Sequence, residues 1–265
     1  MPVTAPILLL LHGLGSSAKA FDPLLPLLPA ESDARTVELP GFGERHREPA
    51  APSIEAMAAA VEPEVHAAAE SGRPVVVVGH SMGGCVATAL AEAGRAPVSG
   101  LVLVNTSLTI EGRHAARSGS EGLIRRPVIG RFAWRAATRE RLRHGLRTAF
   151  APGFAVPDVF VDDLAACAWR AFTGSTAAMD AWLAAAPLAD RLAALSTPTA
   201  YVYGPLDQRI TPESLADFRA RGVAPMLEID GSGHTPMWER PAAMAEALAG
   251  ALAGLAPIAS PPTHR

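Results

Sequence analysis

The stretch from Pro74 to Gly84, PVVVVGHSMGG, constrains the fold of this chain more than any other. Its four consecutive valines are β-branched and apolar on both sides, which is the pattern of a strand buried between two helical layers. Gly79-x-Ser81-x-Gly83 follows at once, and glycines at these positions let a strand and a helix approach closely. The stretch therefore predicts a buried strand, an abrupt turn at Ser81 and then a helix.

This five-residue pattern is that of a nucleophile elbow, in which a strained turn leaves the serine Oγ exposed. By chance, a chain with 23 glycines contains the pattern about 0.1 times, so alone it is a weak indication. An ordinary glycine-rich connection between a strand and a helix is the alternative. The remaining motifs have to decide between the two interpretations.

Length and composition limit the class of protein. With 265 residues, 49% of them hydrophobic, the chain can bury a sizeable core in one large α/β domain.

A net charge of -3 gives no reason to expect nucleic acid as a partner, and no apolar run approaches the ~20 residues of a membrane span. Cys85 and Cys167 predict neither a disulfide nor a zinc site. The first apolar run, 7–11, is a strand and not a signal peptide, so we expect a cytoplasmic protein with no membrane partner.

Strand-like runs alternate with helical stretches along most of the chain, which predicts a mostly parallel sheet flanked by helices. The alternation lapses between 108 and 187, where helical spacing dominates. We therefore expect a core made of 1–107 and 188–256, a helical lid at 108–187, and a disordered tail at 257–265.

The predicted lid holds more than half of the Phe, Trp and Tyr residues of the chain. Such enrichment is typical of a lid that lines an apolar pocket, but a small helical subdomain also needs a core of its own. The candidate pocket residues are Phe132, Trp134, Phe150, Trp169 and Trp182.

Polar residues follow the ends of three predicted strands, and loops at the carboxyl ends of parallel strands meet over one crevice. They include Ser81, Asp207, Asp230 and His234. A serine nucleophile needs a base, and the base needs a carboxylate that fixes its tautomer. The order serine, aspartate, histidine is the order that a fold with this elbow requires. Asp230 is the alternative to Asp207, because it lies close to His234 in the sequence.

Several motifs resemble those of the α/β-hydrolase superfamily and occur in its order. They are His12-Gly13, Pro40-Gly41-Phe42-Gly43, the elbow, Gly204-x-x-Asp207, and Gly233-His234 followed by Glu239-x-Pro241. Over residues 7 to about 252 the chain is similar to the lidded branch with esterases, lactonases, carbon–carbon hydrolases and cofactor-free haloperoxidases. Only about a dozen residues precede His12-Gly13, so the resemblance implies about six core strands instead of eight.

The resemblance also implies residue roles. Ser81 is the expected nucleophile, His234 the general base and acid, and Asp207 the orienting carboxylate. The backbone N–H groups of Leu14 and Met82 are the expected oxyanion hole, and neither a metal nor a cofactor is implied.

Asn105 stands where some relatives place the acid, and an amide cannot serve there, which favours Asp207. His12 and His80 match structural positions, where a buried ring hydrogen-bonds to loop backbone. A serine at the elbow argues against the haloalkane dehalogenases and epoxide hydrolases of this superfamily, which use an aspartate.

The expected function is that of a serine hydrolase that cleaves a small or medium ester or lactone through an acyl-enzyme. A thioesterase, a carbon–carbon hydrolase, an acyltransferase or a lyase could use the same residues. A receptor-like member that only binds its ligand is a further alternative.

Arginines concentrate between residues 113 and 147, where ten stand against two acids. Five of them recur every four residues, which predicts one basic side of a helix; they are Arg131, Arg135, Arg139, Arg143 and Arg147. A solvated face is one interpretation. The other is a docking surface for an anionic partner such as coenzyme A, an acyl carrier protein or a carboxylated substrate.

Overall fold

The computed structural model describes residues 5–116, 122 and 124–255, so the predicted tail at 257–265 lies outside the described residues. Six parallel strands form one sheet in the order β2-β1-β3-β4-β5-β6. They are β1 Ile7–Leu11, β2 Ala34–Val37, β3 Val75–His80, β4 Gly100–Val104, β5 Thr199–Tyr203 and β6 Met226–Glu228. The predicted fold class and strand number are thus confirmed.

Twelve α-helices of the described residues surround or extend this sheet. Before and after β3 they are α1 Ile54–Ala59, α2 Glu62–Ala69 and α3 Met82–Ala93. Between β4 and β5 they are α4 Ile110–Ala115, α5 Pro127–Arg135, α6 Arg139–Leu146, α7 Asp158–Ala166, α8 Trp169–Ala185 and α9 Leu188–Ala194. The last three are α10 Pro212–Arg221, α11 Pro236–Glu239 and α12 Pro241–Gly254.

The valine strand β3 is buried on both faces, as its sequence predicts. Val75 and Val77 pack into the core that includes residues of α1 and α3. Val76 and Val78 pack into the opposite core, to which α12 contributes. Four of the six strands are buried along their whole length, because helices cover both faces of a parallel sheet.

The turn between β3 and α3 is tight. Ser81 adopts φ 54° and ψ -115°, a conformation that L-residues rarely take. A Cβ on Gly79 would lie 2.5 Å from the carbonyl oxygen of Gly83, and one on Gly83 would lie 2.2 Å from that of Leu11. Both positions therefore require glycine, since a side chain would push the helix away from the sheet.

The regularly spaced arginines do not share one helix, which corrects the expectation of a single basic side. Helix α5 ends at Arg135, and Thr138 caps α6 by accepting a hydrogen bond from the Arg141 N–H. In addition, Arg139 and Arg143 form ion pairs with Asp158 and Asp162 of α7. These two arginines link α6 to α7, and the periodicity alone could not reveal that the helix ends at Arg135.

Two further features are the state of the cysteines and the length of the apolar helices. Both cysteines, Cys85 and Cys167, are buried and unbonded to each other. Among the helices of the described ranges, none is both long and apolar enough to cross a bilayer.

We predict that Gly83→Ala lowers the free energy of unfolding by about 1–3 kcal/mol, because its methyl group has no space beside Leu11. Urea denaturation measures the change. Gly174→Ala is the matched control: Gly174 lies within α8 with nothing near its Cβ position, so this variant gains up to ~1 kcal/mol in helix propensity. Equal stability of the two variants would contradict the close-approach argument.

Candidate active site

Three polar side chains predicted from the sequence meet at the carboxyl ends of β3, β5 and β6. The Ser81 Oγ lies 3.0 Å from His234 Nε2, and His234 Nδ1 lies 2.7 Å from Asp207 Oδ2. With Nδ1 protonated, the ring donates to the carboxylate and accepts from the serine hydroxyl. This is the geometry of a nucleophile, a base and an orienting acid.

The carboxylate beside His234 belongs to Asp207 and not to the alternative residue, Asp230. The side chain of Asp207 is 4% exposed, and its Oδ1 accepts a hydrogen bond of 2.7 Å from the Arg209 N–H. Asp230 is exposed to solvent. The carboxylate is therefore fixed through both oxygens, one to the imidazole and one to backbone.

Asn105 joins the loops that carry the aspartate and the histidine. Its Nδ2 donates to the carbonyl oxygens of Gly233 at 2.9 Å and His234 at 3.0 Å, and its Oδ1 accepts from the Gly204 N–H at 3.1 Å. The side chain is fully buried, and the backbone φ is 44°. The sequence marked Asn105 only as a place where an acid could stand, so its bonding was not foreseen.

His80 and Glu239 hold the histidine loop from two further directions. Burial, followed by the charge of His234, lowers the pKa of His80 well below its usual value, and its neutral ring donates from Nε2 to the His234 carbonyl at 2.8 Å. The Glu239 carboxylate accepts from the N–H groups of Gly233, Thr235 and Ala151 at 2.7–2.9 Å. The glutamate was visible as a motif, but the sequence indicated no role for it.

The expected oxyanion hole lies next to Ser81. Leu14 lines the same cavity as Ser81 and His234, and Met82 is the first residue of α3. Neither the Leu14 N–H nor the Met82 N–H donates a hydrogen bond to any residue in the described part of the chain. Both donors thus lack an acceptor among the described residues, as a role in an oxyanion hole requires.

A cavity of about 430 Å³ opens at these residues, a size typical of sites for small molecules. Its apolar lining comes mainly from the segment between β4 and β5 and includes Trp134, Leu142, Phe172 and Met179. Its polar lining includes Arg113, Arg141, Arg209 and His144. The same walls hold no group of three metal-ligating side chains, as is true throughout the described residues.

Only one of the five predicted pocket aromatics, Trp134, lines this cavity. Phe132 is 71% exposed on the outer side of α5, whereas Phe150 is fully buried against Phe154 and Phe160. Trp169 borders a neighbouring cavity, and Trp182 is buried beneath the Arg191 guanidinium. These four residues therefore do not line the cavity that contains Ser81, because the inward side of each helix is set by its tertiary packing.

Comparison with known proteins agrees with this fold. The chain matches the alpha/beta hydrolase family over residues 8–247 and therefore belongs to that family. It is thus an enzyme of the alpha/beta hydrolase class. Among its relatives is the pimeloyl-(acyl-carrier protein) methyl ester esterase of Neisseria meningitidis serogroup C, which is 29% identical over 250 residues and 89% of each chain.

Solved structures share the fold at lower identity. A thermophilic esterase from Thermogutta terrifontis superposes with a TM-score of 0.68 and 23% identity, over 95% of this chain and 91% of that one. A bromoperoxidase from Bacillus anthracis gives a TM-score of 0.73 with 17% identity, over 94% and 92% of the two chains.

We predict that Asn105→Asp lowers kcat for a p-nitrophenyl ester about 10- to 100-fold, since a carboxylate cannot donate to the Gly233 and His234 carbonyls and the imidazole loses its position. KM changes less, because the cavity walls stay in place. A thermal melt establishes that the variant is folded under the assay conditions. An unchanged kcat in folded protein would show that these bonds do not position His234.

Proposed function

We propose that this enzyme is a serine hydrolase that cleaves a small or medium carboxylic ester or lactone through an acyl-enzyme. The observation that carries the proposal is the continuous contact from Ser81 through His234 to Asp207, in which Ser81 and His234 border a cavity. The esterase relatives support the same reaction class.

The reaction proceeds in two halves. The Ser81 Oγ attacks the ester carbonyl carbon while His234 Nε2 accepts the hydroxyl proton, and Asp207 stabilises the resulting imidazolium. The carbonyl oxygen becomes an oxyanion that accepts hydrogen bonds from the Leu14 and Met82 N–H groups, each worth ~3 kcal/mol in such sites.

Collapse of this intermediate breaks the bond to the leaving oxygen, which takes the proton from His234 and departs as an alcohol. Water then attacks the acyl group on Ser81 and passes a proton to His234. The second tetrahedral intermediate expels the serine oxygen, which regains that proton, and the product is a carboxylic acid. One base thus serves both halves.

Residues 108–187 act in this proposal as a lid that determines the acyl group. Trp134, Phe172 and Met179 come from this segment and face the cavity that contains Ser81. An apolar wall of this kind accepts an alkyl or aryl acyl chain, because burying such a chain removes apolar surface from water. The catalytic groups therefore lie on the sheet, and selectivity lies on the helices.

We predict that Ser81→Ala and His234→Ala each lower kcat about 10³-fold or more, and that Asp207→Asn lowers it somewhat less. The physical reason is that each variant removes the nucleophile, the base or the group that fixes the base. Initial rates with a series of p-nitrophenyl esters measure the effects.

Asp230→Asn is the matched control for the aspartate, because it makes the same chemical change at an exposed carboxylate after β6. Its kcat should equal that of the unaltered enzyme. If Asp207→Asn were neutral and Asp230→Asn inactive, the assignment of the acid would be wrong.

A second candidate is an esterase or thioesterase whose substrate is attached to coenzyme A or an acyl carrier protein. Two observations favour it: Arg141 and Arg209 line the cavity beside Ser81, and the curated relatives are named for a substrate on an acyl carrier protein. Guanidinium groups at a cavity wall recognise the phosphates of such carriers.

We predict that KM for a medium-chain acyl-CoA rises at least severalfold between low and physiological salt, because salt screens the attraction between phosphates and arginines. Arg141→Glu should raise this KM further, whereas KM for a neutral p-nitrophenyl ester stays unchanged. The control is Arg147→Glu, an exposed position that lines neither cavity. A KM for acyl-CoA that is independent of salt and of Arg141 would count against an anionic carrier.

A further inference from the structure

A second cavity of about 540 Å³ lies beside the active-site cavity and contains none of the proposed catalytic residues. We name it the outer cavity; helices α5, α6, α7 and the start of α8 surround it. Its defining residues are Arg131, Trp134, Arg135, Leu164, Trp169 and Arg170. Trp134 and Leu164 border both cavities, whereas Trp169 and the three arginines border only the outer one.

The inner wall of the outer cavity is apolar. Besides Leu164, it contains two indole rings whose N–H groups already have acceptors within the protein. Trp134 Nε1 donates to the Cys167 carbonyl and Trp169 Nε1 donates to the Ile124 carbonyl, each at 2.9 Å. The indoles are thereby held in place and offer aromatic surface, so the part of a ligand that contacts them is apolar.

The rim of the outer cavity is positively charged. Among the residues that the structure describes, no acidic side chain lines it, and Arg131, Arg135 and Arg170 form no ion pair. These three arginines differ in this respect from Arg139 and Arg143, each of which forms an ion pair with an aspartate.

Arg131 and Arg135 stand four residues apart on one helix, an arrangement in which like charges repel. The first turn of the 17-residue helix α8 borders the same space, carries no acidic residue, and adds the positive end of its dipole. An anion would reduce the repulsion among these groups.

We propose that the outer cavity is a binding site for an amphiphilic organic anion, with a carboxylate or phosphate group at the three arginines and an alkyl or aryl body against Trp134 and Trp169. The guanidinium groups would bind the anionic head group, and the aromatic walls would contact the apolar body. None of the proposed catalytic residues borders this site, although Trp134 and Leu164 are shared with the active-site cavity.

Isothermal titration calorimetry with octanoate and octyl phosphate tests the proposal. Two control ligands are octanol, which lacks the anionic head group, and acetate, which lacks the alkyl chain. We expect at least one of the two anions to bind at least tenfold more tightly than octanol or acetate. The better anion identifies the preferred head group. Arg170→Glu, or Arg135→Glu as a second variant, should weaken its binding at least tenfold, and the control Arg147→Glu should leave it unchanged.

Quenching of tryptophan fluorescence by 2-bromooctanoate locates the ligand. The quenching should fall in Trp169→Phe, because Trp169 borders only the outer cavity, and it should persist in Ser81→Ala. Equal affinity of Arg170→Glu and Arg147→Glu for both anions would overturn the proposal. Quenching that is unaffected by Trp169→Phe would overturn it as well, since the ligand would then lie elsewhere.

Discussion

The geometry at Ser81 depends on how closely α3 approaches the sheet. The left-handed backbone at a non-glycine residue costs on the order of 1–3 kcal/mol, and it persists only where the surroundings determine it. Here the Ser81 N–H donates to the Val104 carbonyl at 2.9 Å, and Gly79 and Gly83 allow an approach of α3 to the sheet that a side chain would prevent. Burial of the valine strand between two helical layers supplies the stability that maintains this turn.

The histidine is positioned differently, through the backbone on either side of it. Asn105, His80 and Glu239 hold the loop around His234, and Glu239 also binds the Ala151 N–H in the segment between β4 and β5. The Thr235 hydroxyl adds a hydrogen bond of 2.6 Å to the Ala149 carbonyl. The segment that forms the cavity wall is thus bonded to the loop that carries the base, which couples the position of the proposed lid to that of the imidazole.

The sequence predicted the sheet and the meeting of three side chains because both follow from local patterns. Runs of apolar β-branched residues indicate buried strands, and residues just after parallel strands converge at one edge. The sequence did not predict which aromatics face the cavity, since it does not show that Trp134 contacts Phe172 of α8 while Phe132 of the same helix is exposed. Nor could it predict the hydrogen bonds of Asn105, whose partners lie 99 and 128 residues away in the sequence.

Intact-mass spectrometry after treatment with a fluorophosphonate tests the central claim most directly, followed by peptide mapping of the modified protein. The account predicts one adduct per chain, located on Ser81, and slower labelling of His234→Ala because the serine then lacks its base. Folded protein that forms no adduct, or that forms its adduct at another residue, would contradict the assignment of Ser81 as the nucleophile.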